Sequence, residues 1–161
     1  MQLDNLDRRI LDALQRNAKL SNVQLAEEVG LSPSPCLRRV RLLEEAGVIR
    51  GYHAELDRSK SGLGLTVFVG VKVERHHDAS ANAFRAAVID LPEVISCHVV
   101  SGESDFLLQV VLPDLASYED FLFSTLLKLP AVSDIRSNFA ISTVKSQTAL
   151  PLDQLPQGSL S

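Results

Sequence analysis

SNVQLAEEVGLSPSPCLRRVRLLEEAG, residues 21–47, decides the fold of the N-terminal part of this chain. It reads as two short helices meeting at a tight turn. Ser21 with Gln24 three residues later forms a capping box, which satisfies orphan N–H groups at a helix start. Val23, Leu25, Ala26 and Val29 supply an inward face. Gly30 falls where a helix end needs a positive φ, and Leu31 can make the apolar contact that accompanies that stop. Ser32 opens the next helix with Pro33 at its first position, where a missing N–H costs nothing. Ser34–Pro35 repeats the start signal, so either serine can be the cap. Ala46–Gly47 ends the helix. A short helix, a glycine turn and a second helix make the helix-turn-helix pattern, whose second helix lies in the major groove of DNA.

Turning that second helix by roughly 100° per residue separates its faces. Cys36, Leu37, Val40 and Leu43 fall on one side and are expected to pack inward. Ser34, Pro35 and Arg38 fall opposite, with Arg39 and Arg41 on the flanks. The planar fork of arginine suits guanine edges and phosphates. Arg38 is therefore expected to reach bases, and Arg39 and Arg41 to reach phosphates, with Ser32, Ser34 and Pro35 at the approaching helix end. Taken alone, such a row of arginines describes a solvated charged face. The capped helix and turn in front of it favour DNA. Leu42 points outward on the same wheel, so some other element must cover it.

Working outward, Asp4 can cap a first helix that runs to about Asn17, with Asp7 in its favourable first turn. Leu6, Ile10 and Leu14 recur every four residues, and Leu11 widens the stripe. This helix is expected to back the other two. After Gly47 comes IRGYHAELD, with imperfect alternation, readable as a wing or as a connector. RSKSGLG, residues 58–64, reads as a loop or hinge.

Then the pattern changes. Leu65, Val67, Val69, Val71 and Val73 alternate in strict period two, a strand. Residues 79–90 carry Ala83, Phe84, Ala87 and Val88 at helical spacing. Val94–Ser101 is a second strand, Gly102–Glu103–Ser104 a turn, and Asp105–Leu112 a third strand closing a hairpin. Pro113–Asp114 opens a helix to about Leu129, burying Tyr118, Phe121, Leu122 and Leu126. Val132–Val144 is a fourth strand, with Ile135, Phe139 and Ile141 on one face. The order βαββαβ is the ferredoxin-like split-βαβ sandwich. Helices cover one face of such a sheet, and a second copy of the sheet is the economical cover for the other. The chain is thus α+β: residues 1–57 a winged-type helix-turn-helix domain, 58–64 a linker, 65–146 the ferredoxin-like domain, 147–161 a tail whose Leu150 and Leu152 can dock on a neighbour.

Composition bounds the function. Hydrophobic residues make up 45% of the chain, ordinary for a globular protein. No apolar run approaches the roughly 20 residues of a membrane span. The start MQLDNLDRR lacks an apolar signal core, so the protein is expected in the cytoplasm, away from membranes. Cys36 and Cys97 read as small apolar core residues in a reducing compartment. The net charge of −4 is uneven: residues 1–60 hold 10 Lys+Arg against 9 Asp+Glu, and residues 61–161 hold 6 against 11. The first part is therefore +1 and the second −5. So modest a basic excess gives weak affinity by counterion release, and argues for several copies acting together.

With those residues in view, the chain resembles the Lrp/AsnC family of transcription regulators, most of all its leucine-responsive branch. The matching stretches are LDRRILDALQRNAKLSNVQLAEEVGLSPSPCLRRVRLLEEAGVIRGYHAEL, CHVVSGESDFLLQVVLPD and TLLKLPAVSDIRS, and SPSPCLRRV is the most specific. The resemblance implies double-stranded DNA as partner and a RAM- or ACT-like ferredoxin-fold second domain that senses a small amino acid, leucine-like in the first instance. It also implies dimers formed through the sheets, assembled into octamers or similar rings with the effector at contacts between dimers. Effector contacts in the family gather at the loop before the third strand, here Gly102–Glu103–Ser104–Asp105, with Ser104 where an aromatic is common. Asp105 can accept from the ammonium, and the N–H groups of the glycine turn can bind the carboxylate. Phe106, Ser137 and Phe139 can wall the side chain.

Other signals carry less. His76–His77 beside Asp78 is a conceivable metal pair, but adjacent histidines point apart and no H-x₃-H or C-x₂-C spacing exists, so no metal is expected. No activated-serine motif surrounds His98 and Ser101, and no phosphate-binding glycine loop is present, so neither an enzyme nor a bound cofactor is expected. His98 reads as a sheet-face residue at a subunit contact. The alternative to an effector-controlled regulator is an effector-independent architectural protein that wraps DNA.

Overall fold

The computed structural model describes residues 2–74, 78–146 and 149–154, with the side chains of 78–80 left aside. The chain divides into two units. One comprises residues 1–55 together with 145–161, and the other residues 56–144.

The first unit is built on three helices, α1 Asn5–Arg16, α2 Asn22–Val29 and α3 Pro33–Glu45. Asp4 caps α1 as expected, and the cap is reciprocal: Asp4 Oδ1 accepts from the Asp7 N–H at 2.8 Å, and Asp7 Oδ2 from the Asp4 N–H at 3.1 Å. Ser21 and Gln24 make the same box on α2. Gly30 takes φ 70°, so the Leu31 N–H reaches back to the Ala26 carbonyl at 2.8 Å. That six-residue closure is the glycine helix stop expected from sequence. Ile10, Leu11, Ala13, Leu25, Ala26, Val29, Cys36 and Leu43 form one buried cluster. The residue wheel of α3 fails at one position: Leu37 is 39% exposed. It sits one step, about 100°, from the fully buried Cys36, which puts it at the edge of the apolar stripe rather than inside it.

The tail closes onto this unit. The Gln15 carboxamide donates to the Leu150 carbonyl at 3.3 Å and accepts from the Leu150 N–H at 2.6 Å. Leu152, in a short 3₁₀ turn Leu152–Gln154, packs against the three-helix core. Leu152 thus docks within the same chain, whereas Leu150 is held there by its backbone alone and its side chain is 67% exposed. Residues 50–56, open to either a wing or a connector by sequence, form no strand.

The second unit holds β1 Leu65–Val73, α4 Asp78–Ile89, β2 Val94–Val99, β3 Phe106–Leu112, α5 Leu115–Ser124 and β4 Val132–Phe139. The sheet order is β2-β3-β1-β4 with every neighbour antiparallel, the ferredoxin-like arrangement. Val67, Val69, Val71 and Val73 bury one face of β1 against Phe84, Val88, Tyr118, Phe121 and Leu126. Each fully buried side chain contributes about 1.5–3 kcal/mol. The opposite face carries Phe68, still 40% exposed, with Thr66, Gly70 and Lys72 in the same alternation.

Besides β2, which ends at Val99 rather than Ser101, two elements end well before their expected ends. β4 stops at Phe139 instead of Val144, and Ile141 is 99% exposed. Its partner strand gives out: Val67 pairs with Phe139, Thr66 still accepts from the Ala140 N–H, and the chain before Leu65 leaves the sheet through the turns at 58–62. α5 stops at Ser124, because β-branched Thr125 takes φ −125° and ψ −67° and a 3₁₀ turn, Leu126–Lys128, follows. The break turns Leu126 fully inward.

Candidate nucleic-acid interface and effector loop

The turn between α2 and α3 is held by a side chain as well as by Gly30. Asn22 at the start of α2 donates to the Pro33 carbonyl at 2.8 Å. Ser32 is the N-cap residue of α3, but its hydroxyl makes no capping bond. Pro33 and Pro35 have no N–H, and the Cys36 N–H is already donated to the Ser32 carbonyl. Ser34 therefore supplies the orphan N–H of this helix start. Around it stand two exposed hydroxyls, Ser32 and Ser34, at the positive end of a helix dipole. Arg38 and Arg41 are exposed, and neither guanidinium has a partner among the described residues. An orphan N–H, hydroxyls and open guanidinium groups on one helix are the donors a phosphate backbone and base edges require.

Arg39 behaves differently. One of its nitrogens, Nη1, donates to Asp4 Oδ2 and to Asp7 Oδ1, both at 2.7 Å. Its side chain is 25% exposed and that of Asp7 only 6%. Burial tends to raise the Asp4 carboxyl, but the Asp7 and Leu6 N–H groups and the Arg39 charge outweigh it and hold the group below the usual carboxylate range.

In the second unit, the hairpin loop 100–105 sits across the C-terminal end of β1. The Asp105 N–H donates to the Val71 carbonyl, and the Asp105 carboxylate accepts from the Val73 N–H, both at 3.0 Å. A register shift between Lys72 and Val73 accompanies this second bond. The Ser104 hydroxyl lies so close over Gly70 that any Cβ at position 70 would collide with it. Glu103 pairs with Arg136 of β4, which also approaches Asp134 at 3.7 Å.

Residues 3–50 match the family described as winged helix-turn-helix DNA-binding, and residues 66–150 match the Lrp/AsnC ligand binding domain. The chain belongs to the Lrp/AsnC family. It is 44% identical to the leucine-responsive regulatory protein of Salmonella typhimurium over 148 residues, 92% of this chain and 90% of that one. The Escherichia coli protein of the same name is 43% identical over the same coverage. Among solved structures, a transcriptional regulator from Neisseria meningitidis in complex with L-Met is similar at a TM-score of 0.90 and 43% identity, covering 94% of this chain and 98% of that one. An AsnC family regulator from Agrobacterium tumefaciens gives 0.89 at 41%, with the same coverage. This Lrp/AsnC chain is a DNA-binding regulator with a ligand-binding second domain.

Within this Lrp/AsnC fold, Ser32, Ser34, Pro35, Arg38 and Arg41 share the exposed surface of the α3 half of the motif. Arg39 does not join them; it turns back to α1. The residues expected to meet an effector also divide. Gly102, Glu103, Ser104 and Asp105 lie together in the loop, and Ser104 and Glu103 lean over the open sheet face through Gly70 and Arg136. Phe106 is 2% exposed and stacks on Phe84 with ring centroids 4.6 Å apart, so it is core and cannot wall a pocket. Strand alternation explains this correction, because Phe106 pairs with Val71 on the helix-covered face. Ser137 bonds the Tyr118 hydroxyl on that same face, and Phe139 meets Tyr118 edge-on at 5.3 Å. Neither stands with the loop. Arg136 was missed by sequence reading, although its place between Ile135 and Ser137 on a period-two strand puts it on the loop's side of the sheet.

Both thiols are free, and burial pushes Cys36 and Cys97 upward, partly countered at Cys97 by Arg85. His76–His77 lies outside the described residues. Among the described residues no helix is long and apolar enough to cross a membrane.

Proposed function

We propose that this chain is an amino-acid-responsive transcription regulator that works in the cytoplasm as a homo-oligomer, of which an octamer of sheet-paired dimers is the leading form. Its chemistry is recognition, not catalysis. Each recognition helix offers Arg38 to base edges and Arg41, Ser32 and Ser34 to phosphates. Two such helices in a dimer suit half-sites spaced about 34–36 Å apart. The effector is a small amino acid, leucine-like or methionine-like. Asp105 receives its ammonium, the loop N–H groups near Gly102 receive its carboxylate, and a second copy completes the apolar wall that Phe106, Ser137 and Phe139 do not supply here.

The observation that carries this reading is the pairing of an exposed Arg38, without a partner among the described residues, with an Lrp/AsnC ligand-binding domain in a chain similar to a regulator solved with L-Met. Effector control then follows from differential affinity for two assembly states. A thermal-shift screen of the amino acids on the purified protein, followed by binding to its own promoter region with and without each hit, tests it. A leucine- or methionine-type shift, abolished in Asp105→Ala, is expected. DNA binding with no shift for any amino acid would sink the sensing claim and leave an architectural DNA-wrapping protein.

A further inference from the structure

The Arg39 guanidinium lies between two carboxylates, Asp4 and Asp7, that also cap the first turn of α1. We propose that Arg39 is not a DNA ligand but the positioning residue of the recognition helix, a charged bolt that fixes the rotation of α3 on α1 and so aims Arg38. The inference rests on the DNA-binding reading and deepens it.

Charge comes first. One guanidinium against two carboxylates leaves the cluster at −1, so a phosphate brought to Arg39 meets repulsion from Asp4 and Asp7. The open guanidinium groups of Arg38 and Arg41 carry no such penalty. Directionality comes second. The packing of α3 through Cys36, Val40 and Leu43 is apolar, and the hydrophobic effect that drives it is non-directional. A charge-assisted hydrogen bond is directional and about twice as strong as a neutral one. Arg39 makes two of them, to a site held rigid by the reciprocal capping box. Arg38 is the next residue, so a rock of α3 that strains the Arg39 bonds also swings Arg38 away from its base.

The test uses the full-length protein, its own promoter region and an unrelated duplex of equal length, with affinities measured across a salt series. Arg38→Ala is the reference, and should lower the preference for the promoter. If it does not, the DNA-interface reading itself has failed, separately from the present inference. Asp4→Asn is the decisive variant, because asparagine caps a helix as well as aspartate does and Asp7 keeps its arginine. Positioning predicts that Asp4→Asn and Arg39→Ala each reduce the promoter-to-unrelated ratio, Arg39→Ala by roughly tenfold. The salt slope should stay that of the parent in both. A phosphate contact predicts the opposite sign: Asp4→Asn releases Arg39, tightening binding and steepening the slope, and Arg39→Ala flattens the slope by about 0.9. Arg39→Lys puts an ammonium with rotatable donors on a flexible stem in place of the planar, pre-organised Nη1 that serves both acids, and should restore the ratio only in part. Should Arg39→Ala fail to fold, with Asp7 left buried and unpaired, Asp4→Asn and Arg39→Lys decide. An unchanged ratio in Asp4→Asn, or a slope change in any of these Arg39-cluster variants, overturns the proposal.

Discussion

Single residues on one surface hold unlike roles here, and exposure with partners distinguishes them. Arg38 is exposed and without a partner among the described residues, so Arg38→Ala should weaken binding to the promoter region by about 1–3 kcal/mol and relax sequence preference at one base position, read by competition binding. Unchanged binding would remove α3 from the interface. At Ala131 the backbone is the issue: it takes φ 62°, a left-handed conformation that costs a non-glycine residue about 1–2 kcal/mol. Its carbonyl accepts from the Glu74 N–H, so the turn is fixed where it is. Ala131→Gly removes that strain but adds chain entropy to the unfolded state and loses a partly packed methyl. The net expectation is a gain of about 0.5 kcal/mol, seen as a higher midpoint in urea. A loss would mean that the methyl matters more than the strain.

The informative elements are those whose ends touch something else. The capping box of α1 closes a helix and also receives Arg39, so it links helix formation to recognition-helix placement. The pH dependence follows from Asp4, whose carboxyl is held below its ordinary value. A depressed carboxylate contributes stability above its unfolded value and loses it as pH falls through the folded one. Acid unfolding monitored by circular dichroism should therefore begin earlier in the parent than in an Asp4→Asn variant when each is normalised to its own neutral-pH stability. Identical acid profiles would show that Asp4 contributes no linkage. The tail is the second such element. Gln15→Ala removes both bonds to Leu150 and should cost about 0.5–1.5 kcal/mol per bond, less if water replaces them. Faster proteolysis at the C-terminus in the variant is the direct readout, and an unchanged cleavage rate argues that the tail is held by Leu152 alone.

At the scale of the whole molecule, charge and a half-exposed Phe68 on the sheet face opposite the helices point the same way. The N-terminal residues 1–60 are only +1, too little for a single copy to bind DNA strongly. The sheet of the second unit leaves Phe68 half-open in the middle of β1. Phe68→Glu should leave the fold intact, because the residue lies outside the buried cluster, while shifting the protein to a smaller species by light scattering. Promoter affinity should fall with it by more than tenfold, since linked copies gain about 10²–10⁴ in avidity. A variant that remains the size of the parent would place the subunit contact elsewhere.

The sequence by itself determined the elements. Period-two valines, capped helices and glycine stops are local signals, set by backbone geometry within a few residues, and they specified the helix-turn-helix and the βαββαβ order. They also led to the expectation of Ser34, Pro35 and Arg38 opposite the apolar side of the second helix, with Arg39 and Arg41 on its flanks, and of Gly102–Asp105 in one loop. Only the tertiary structure decided what depends on partners distant along the chain. Arg39 carries the same signal as Arg38 in sequence, yet two acids more than 30 positions upstream claim it. Phe106 adjoins the loop in sequence, but strand pairing with Val71 sends it into the core. The end of β4 was set by where β1 begins, and the home of the tail by Gln15. An element's existence is a matter of local periodicity, whereas the side a residue faces and the partner that holds it are settled by packing.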